Sequence, residues 1–323
     1  MKQLKFLLKC ILALLPLILV VIYTALFPFG YMDSEYPAWK YTKAISKNSS
    51  TEYDTVILGD SRAMADLIPE EFNTSSVNLA VGGATSIEMY YTLENYISSN
   101  GCPQNVIIMF APFHYTVIDN FWYRTAYFNY LSAPQMADLY SYAKACDSET
   151  LMNKGYKNDI LSYRFRFPDK YLPALINSKL IGRYNENILA YNTIAGNYGY
   201  GEFGTADGCS DLNYETSYDR MHTTGDAVLL DIYTNKLLKL CESNNIETLL
   251  VISPMNKSSY DNLKPPYVEE ITEYFLDLKS RYPGINIEEK IPMYEDMYFG
   301  DSSHLNHLGA KTYTENFVKE YGY

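Results

Sequence analysis

The stretch that decides the fold is residues 55–61, TVILGDS, a short β-rich apolar run that ends in a glycine, an acid and a serine. Two further apolar runs follow, VNLAV at residues 77–81 and VIIMF at residues 106–110. Runs that do not alternate are typical of strands buried on both faces. Residues 86–99, between the second and third runs, carry apolar side chains at mostly helical spacing. This order of strand, helix and strand predicts a parallel, doubly wound α/β sheet.

The same alternation resumes near the C-terminus. Residues 228–241 have the pattern of a helix, residues 248–252 that of a fourth strand, and residues 268–278 that of a second helix. Residues 285–287 are a weak fifth strand, and residues 308–321 a closing helix. The sequence therefore predicts five parallel strands with covering helices.

Two segments lie outside this alternation. Residues 115–225 are rich in Tyr and Asn and are expected to be an insertion, helical at first and then a loop. Its glycine-dense run, residues 196–204, is interpreted as an ordinary surface loop, with a substrate-facing flap as the alternative. Residues 31–52 are mostly polar and are expected to form a stalk before a domain that spans residues 53–323.

The N-terminus carries a candidate membrane anchor. Residues 10–29 contain no charge, which at about 1.5 Å per residue is enough to cross a hydrocarbon core of roughly 30 Å. The stretch is longer than the apolar part of a signal peptide and lacks a small-x-small cleavage site, so we expect an uncleaved anchor over residues 1–30. Lys2, Lys5 and Lys9 precede it, which predicts a cytoplasmic N-terminus and an extracytoplasmic domain.

The composition limits the function classes. The 323 residues are 47% hydrophobic and 15% aromatic, which suits one large globular domain. The chain has 38 acidic and 26 basic residues, a net charge of −12, so nucleic acid is excluded as a partner. Beyond the anchor, 23 basic residues face 38 acidic ones, a net charge of −15. Such a domain repels a polyanionic chain and attracts a cationic ester.

The cysteines do not indicate a metal site. Cys10 lies in the predicted anchor, and Cys102, Cys146, Cys209 and Cys241 lack the paired spacing of zinc ligands. We therefore expect no metal and no cofactor. The four extracytoplasmic cysteines either form two disulfides, with three possible pairings, or stay buried as small apolar side chains.

Candidate catalytic residues follow the predicted strands, where a parallel sheet places its ligand site. Ser61 stands after the first strand, Gly82 and Gly83 stand after the second, and near the C-terminus Asp301 precedes His304 by three residues. A serine needs a base to become nucleophilic, and a carboxylate fixes the tautomer of that base. Alone, Ser61 is more often a helix cap, and an Asp-x-x-His motif more often a turn. Together, these residues indicate a Ser-His-Asp triad.

In these motifs the chain resembles the SGNH/GDSL hydrolase superfamily, over roughly residues 53–112 and 246–320. The resemblance implies a flavodoxin-like three-layer α/β/α sandwich. It also implies that Ser61 is the nucleophile, His304 the base and Asp301 the acid that orients the base.

The resemblance further implies three oxyanion donors, namely the amide of Ser61, an amide of Gly82 or Gly83, and an Asn side chain after the third strand. The sequence departs from the pattern there, because no Asn follows that strand before Asn120. His114 is a candidate replacement for this donor, although simple packing of its ring is the favoured interpretation.

A narrower similarity points to a partner. APFHY at residues 111–115, SPMN at 253–256 followed by Tyr260, and DSSHL at 301–305 with Gly309 are similar to the membrane-anchored D-alanyl-teichoic-acid synthesis protein D group. That group and its relatives are partners of membrane-bound O-acyltransferases. The similarity implies work outside a bacterial cell on glycan or teichoic acid acceptors.

Three functions remain open at this point. The first is an acyltransferase component that moves an acetyl or D-alanyl group onto a cell-surface or secreted polymer through an ester of Ser61. The second is a tethered esterase, because the same triad hands an acyl group to water or to an alcohol. The third is a scaffold for the membrane-bound enzyme, suggested by the missing Asn.

Overall fold

The computed structural model describes residues 2–26, 33–48, 51–152 and 183–323. Its helices are α1 (Lys2–Leu26), α2 (Tyr36–Asn48), α3 (Ser61–Asp66), α4 (Ser86–Asn100), α5 (Ala133–Cys146), α6 (Glu149–Met152), α7 (Tyr184–Gly196), α8 (Gly225–Ser243), α9 (Lys257–Tyr260), α10 (Pro265–Arg281) and α11 (His307–Tyr321). Its strands are β1 (Thr55–Gly59), β2 (Ser76–Asn78), β3 (Asn105–Phe110), β4 (Glu247–Ile252), β5 (Met255–Asn256), β6 (Asn286–Ile287) and β7 (Met293–Tyr294).

The five-stranded sheet has the order β2-β1-β3-β4-β6, and every neighbouring pair is parallel. This is the strand order of flavodoxin-like folds, in which the order of the strands in the sheet reverses between β1 and β3. Right-handed crossovers then place α4 and α8 on one face, where they pack together, and α3 and α11 on the other. The predicted α/β fold with a parallel five-stranded sheet is confirmed.

The central strands are buried along almost their whole length, which explains why their sequences are apolar without alternation. Val56, Ile57 and Leu58 of β1 have no exposed surface. The second strand is shorter than predicted, since only residues 76–78 pair with β1. A small second sheet, in which β5 pairs with β7, was not predicted from the sequence.

The prediction of a stalk over residues 31–52 is wrong for Tyr36–Asn48, because these residues form the helix α2. This helix packs on α4 and α7. Trp39 is 1% exposed, and its ring meets the ring of Tyr130 edge to face at 4.9 Å. Its side chains from Tyr36 to Lys47 are buried or half-buried apart from Lys40, so the helix belongs to the globular domain.

The insertion is tied to the rest of the domain by polar contacts. In its described parts it contains α5, α6 and α7 and then a long loop, while residues 153–182 lie outside the described residues. Glu88 closes a capping box at the start of α4 by accepting from Thr85, and it also accepts a 2.6 Å hydrogen bond from Thr125 Oγ1. A buried carboxylate thus joins the helix cap to the insertion.

One helix within the described ranges, α1, is long and apolar enough to cross a membrane. Its apolar side chains, such as Leu4 and Leu12, are largely exposed. All five cysteines fall in the described ranges, and each is a free thiol. Neither alternative describes all four cysteines beyond α1, because none is paired, and Cys241 is buried whereas Cys102 is exposed. Burial raises the pKa of the Cys241 thiol to about 12.

We predict that Trp39→Ala lowers the free energy of unfolding of the domain by about 3–5 kcal/mol, because it empties a buried site beside the rings of Phe128 and Tyr130. The check is urea denaturation followed by circular dichroism. Lys40→Ala, at an exposed position of the same helix, removes a cation–π contact with Tyr191 and is the matched control, which should lower stability by at most about 1 kcal/mol. Equal stability of the two variants would show that α2 is a detachable stalk.

Candidate active site

The structure brings together the three residues of the predicted triad. Ser61 is the first residue of α3, directly after β1, and its Oγ lies 2.8 Å from His304 Nε2. His304 Nδ1 lies 2.9 Å from Asp301 Oδ2. If Nδ1–H donates to the carboxylate, Nε2 is left as the acceptor for the serine proton.

The segment that carries the acid and the base is fixed by its own turn. Asp301 Oδ1 accepts hydrogen bonds from the backbone amides of Ser303, at 2.7 Å, and His304, at 2.8 Å. The next amide, that of Leu305, donates to Asp66 Oδ1 in α3 at 3.1 Å. Partial burial raises the pKa of Asp301, but the His304 hydrogen bond and charge outweigh it and lower that pKa below its ordinary value. Asp301 therefore stays a carboxylate.

Asp60, the residue before the nucleophile, caps α3 from a site with no exposed surface. Its carboxylate accepts from the amide of Arg62 at 2.9 Å, from the amide of Ala111 at 2.8 Å and from His114 Nδ1 at 2.5 Å. Burial raises the pKa of Asp60, but the hydrogen bond and charge of His114 overcome this and hold it below the ordinary value.

His114 is a buried cation rather than a simply packed ring. It is 4% exposed, with Asp60 on Nδ1 and Asp119 Oδ1 3.5 Å from Nε2. Burial lowers the pKa of His114, but the two carboxylates raise it to about 9. Both ring nitrogens therefore face carboxylates, which leaves His114 poorly suited to the expected role of oxyanion donor. Its ring also packs on Phe113, with centroids 3.9 Å apart.

Asn120 lies beside the glycine turn that follows β2. The turn that follows β2 is closed by a hydrogen bond from the Ala84 amide to the Val81 carbonyl, and Gly83 has a φ of +73°. A β-turn of this kind requires glycine at that position. A Cβ added to Gly83 would lie 2.7 Å from both Asn120 Nδ2 and Arg124 Nη1, so the amide of Asn120 and the guanidinium of Arg124 share the space beside the glycine. Asn120 Nδ2 also donates to the carboxylate of Asp119.

The sequence alone did not indicate a role for Asn120, because this residue stands ten residues after the end of β3. A turn at residues 112–115 and a wide π-type helix at residues 121–126 fold this segment back over the edge of the sheet and so bring Asn120 to the pocket. An Asn anywhere in the segment after β3, and not only directly after the strand, is the sequence signal that would have identified Asn120.

These residues line a pocket of about 240 Å³. Gly83 and Asn120 share it with Ser61 and His304. Gly82 does not line it, and a Cβ added to Gly82 would be 2.9 Å from Glu35 and 3.1 Å from Arg124. Gly83 rather than Gly82 therefore lies beside Asn120.

The glycine-rich run at residues 196–204 reaches this pocket. The ring of Phe203 stacks on the imidazole of His304, with centroids 4.7 Å apart and planes inclined by 19°. Gly204 lies against Gly300, where a Cβ would overlap the facing backbone at 2.4 Å. The favoured interpretation of an ordinary surface loop is therefore wrong for residues 203–204, which cover the catalytic histidine candidate.

A buried ion pair fastens another part of the insertion beneath the pocket. Arg62 of α3 pairs with Glu215, and Glu215 also accepts from the Phe113 amide at 3.4 Å. Arg62 Nη1 donates to Ser253 Oγ at 3.4 Å. Asn256 donates to the carbonyls of residues 209 and 211, so residues 253–256 hold the insertion loop rather than face the substrate.

The described residues contain no cluster of three or more His, Cys, Asp or Glu side chains suited to a metal ion. No family model matches the chain, and no curated protein matches it. One solved structure, described as a "putative platelet activating factor from Streptococcus pneumonia", is 12% identical with a TM-score of 0.37, over 90% of this chain and 93% of the other. A likeness this low carries no argument about fold or function.

We predict that His114→Gln removes a pH dependence of stability. The folded pKa of about 9 lies above the unfolded value near 6.5, so the stabilisation by the imidazolium is complete below pH 6.5 and disappears as the pH rises through 9. The wild type should lose about 3 kcal/mol more free energy of unfolding over this range than His114→Gln, measured by urea denaturation at fixed ionic strength. His222→Gln, an exposed histidine, should behave as wild type, and parallel curves for wild type and His114→Gln would contradict the prediction.

Proposed function

We propose that this protein is a membrane-anchored, extracytoplasmic acyltransferase component of the SGNH type, and that Ser61 carries the acyl group as an ester. The observation that carries the proposal is the continuous hydrogen-bonded relay from Ser61 Oγ through His304 to Asp301, with steps of 2.8 and 2.9 Å. Side chains 243 residues apart meet at catalytic distance at the end of a parallel sheet, where such folds place their sites.

The chemistry proceeds in two half-reactions. Ser61 Oγ attacks the carbonyl carbon of a donor ester while His304 Nε2 takes the serine proton. That proton then passes to the oxygen of the leaving alcohol, and Asp301 stabilises the imidazolium in between. In the second half, an acceptor hydroxyl gives its proton to His304 and attacks the serine ester, and His304 returns the proton to Ser61 Oγ as the bond from that oxygen to the carbonyl carbon breaks.

The oxyanion of each tetrahedral intermediate requires donors next to Ser61. The amides of Ser61 and Gly83 and the side chain of Asn120 are the candidates, because they surround one pocket and Asn120 Nδ2 lies at Gly83. Asn120 supplies the donor whose absence motivated the scaffold alternative, so that alternative loses its main support.

The location follows from the N-terminal helix. The three lysines at the N-terminal end of α1 favour a cytoplasmic N-terminus and a domain outside the cell. There the acyl acceptors are the hydroxyls of cell-surface or secreted polysaccharide or teichoic acid, and a membrane-bound O-acyltransferase is the proposed partner and acyl source.

Hydrolysis is the second candidate function, because the described pocket contains every group that a serine esterase needs. Water exclusion separates the two reactions. Purified full-length protein should therefore hydrolyse an aryl acetate faster than its Ser61→Ala variant if it is an esterase, and remain silent without the membrane partner if it is a transferase component.

We predict that Ser61→Ala and His304→Ala each abolish acylation of the surface polymer in cells, because each removes one member of the relay. The measurement is the ester content of the polymer at matched protein levels. Ser98→Ala and His222→Ala, both exposed and remote, are the matched controls and should keep wild-type acylation. Unchanged acylation in Ser61→Ala would overturn the proposal.

We also predict that Asn120→Ala slows reaction at Ser61 by about 10²-fold, the usual effect of losing one oxyanion donor. The measurement is the rate of labelling of Ser61 by a fluorophosphonate probe, whose phosphoryl oxygen takes the place of the oxyanion. Asn192→Ala, on the exposed side of α7, should label at the wild-type rate. A wild-type rate for Asn120→Ala would remove Asn120 from the oxyanion site.

A further inference from the structure

One cationic side chain of the catalytic pocket has no role in the proposed relay. Arg124 lines the pocket together with Ser61, Gly83 and Asn120. It belongs to the π-type helix at residues 121–126, which Asn120 directly precedes, and its backbone amide donates to the Asn120 carbonyl at 2.9 Å. Wide helical turns of this kind are frequent at functional sites. The same short helix therefore brings two side chains with N–H donors to the pocket.

The guanidinium of Arg124 lies at the same place as the Asn120 amide. Arg124 Nη1 and Asn120 Nδ2 are each 2.7 Å from the position of a Cβ added to Gly83. The backbone amide of Gly83 is itself a candidate oxyanion donor. The observation that makes Asn120 a candidate donor therefore applies equally to Arg124.

The residue before the turn glycine leaves room for this guanidinium. Gly82 lacks the positive φ of Gly83, so its backbone conformation does not require glycine. A Cβ added to Gly82 would lie 3.1 Å from Arg124 Nη1 and 2.9 Å from Glu35 Oε2. The close approach of these two side chains to the backbone is the physical reason for a glycine at this position.

The nitrogen of Arg124 that faces the glycine turn is not the nitrogen that pairs with a carboxylate. The ion pair with Glu35 is made by Nη2, and its atoms are 3.8 Å apart. A guanidinium carries five N–H donors, so a pair made through Nη2 leaves Nη1 able to donate elsewhere. The Arg124 side chain is 23% exposed, so a group that enters the pocket can reach it.

The charge of Arg124 is less fully compensated than that of the two buried cations of the pocket. Arg62 is in direct contact with Glu215, and His114 lies between two carboxylates. The pair of Arg124 with Glu35 is longer and partly exposed, and such pairs are weak. Hydrogen bonds from a charged donor are about twice as strong as those from a neutral one. Arg124 is therefore the cation of the pocket that is best suited to an oxygen that becomes negative.

From these features we propose that Arg124 is a further catalytic residue, whose Nη1 donates to the oxyanion of the Ser61 reaction. The inference rests on the proposed function, because it concerns the same intermediate. As Ser61 Oγ bonds to the carbonyl carbon, an electron pair of the C=O bond moves to its oxygen, which accepts hydrogen bonds from Asn120 and Arg124. The pair returns when the bond from that carbon to the leaving alcohol oxygen breaks. Arg124 keeps its protons throughout, because a guanidinium is not deprotonated in proteins.

The test is the rate at which a fluorophosphonate probe labels Ser61 in the full-length protein in phosphatidylcholine nanodiscs. We expect Arg124→Ala to lower this rate by about 10²-fold, the usual effect of losing one oxyanion donor. Guanidinium chloride at about 20 mM, which is too dilute to unfold a domain, should then raise the rate of this variant at least about fivefold. Urea has a similar shape but no charge, and at the same concentration and ionic strength it should leave the rate unchanged. A merely structural role of Arg124 predicts no such difference between the two additives.

Two further variants complete the design. Gly82→Ala keeps Arg124 but places a methyl group where the guanidinium approaches, so the labelling rate should fall by about tenfold. Arg220→Ala removes an arginine that is 72% exposed, and this matched control should label at the wild-type rate. A wild-type rate for Arg124→Ala, or equal restoration by urea and guanidinium, would overturn the inference and leave the proposed function standing. Wild-type protein that does not label at Ser61 would overturn both.

Discussion

The buried carboxylate of Asp60 is the constraint on which the site depends. It joins the first turn of α3, the end of β3 through the Ala111 amide, and the ring of His114. A carboxylate without exposed surface is costly unless its oxygens are satisfied, and here three donors and a buried cation compensate it. Because Ser61 is the next residue, the hydrogen bonds that stabilise the Asp60 carboxylate also fix the backbone of Ser61 at the end of β1.

Local patterns were sufficient for the scaffold and for the triad. The strands at residues 55–59, 105–110 and 247–252 are buried on both faces, so their apolar runs identify them without any knowledge of their neighbours. Asp301 and His304 are held by one turn, so their spacing alone predicts their contact. Their convergence with Ser61 was implied by the resemblance to the SGNH/GDSL superfamily, because residues 301–304 do not directly follow a strand of the five-stranded sheet.

The residues that sequence reasoning missed depend on partners remote in the chain. The side chains of α2 are buried by α4 and by α7, which begins about 150 residues later in the chain. No local hydrophobic periodicity therefore predicts their burial. Asn120 reaches the pocket because a turn and a π-type helix bring the chain back to Gly83. The spacing of residues along the sequence does not predict this path. Phe203 is likewise placed by close backbone contact between Gly204 and Gly300. In each case tertiary packing decided the position.

The charges around Ser61 explain why directed donors matter more than net potential at this site. Two buried cations, Arg62 and His114, are matched by the carboxylates of Asp60, Glu215 and Asp119. The cluster is therefore slightly negative, while Arg124, which lies 3.8 Å from Glu35, lines the same pocket beside Gly83. In the proposed reaction, stabilisation of an oxyanion would come from N–H groups aimed at one point, which act strongly where water is excluded. Asp119 accepts from Asn120 and also faces His114, so the charged cluster holds that amide in place.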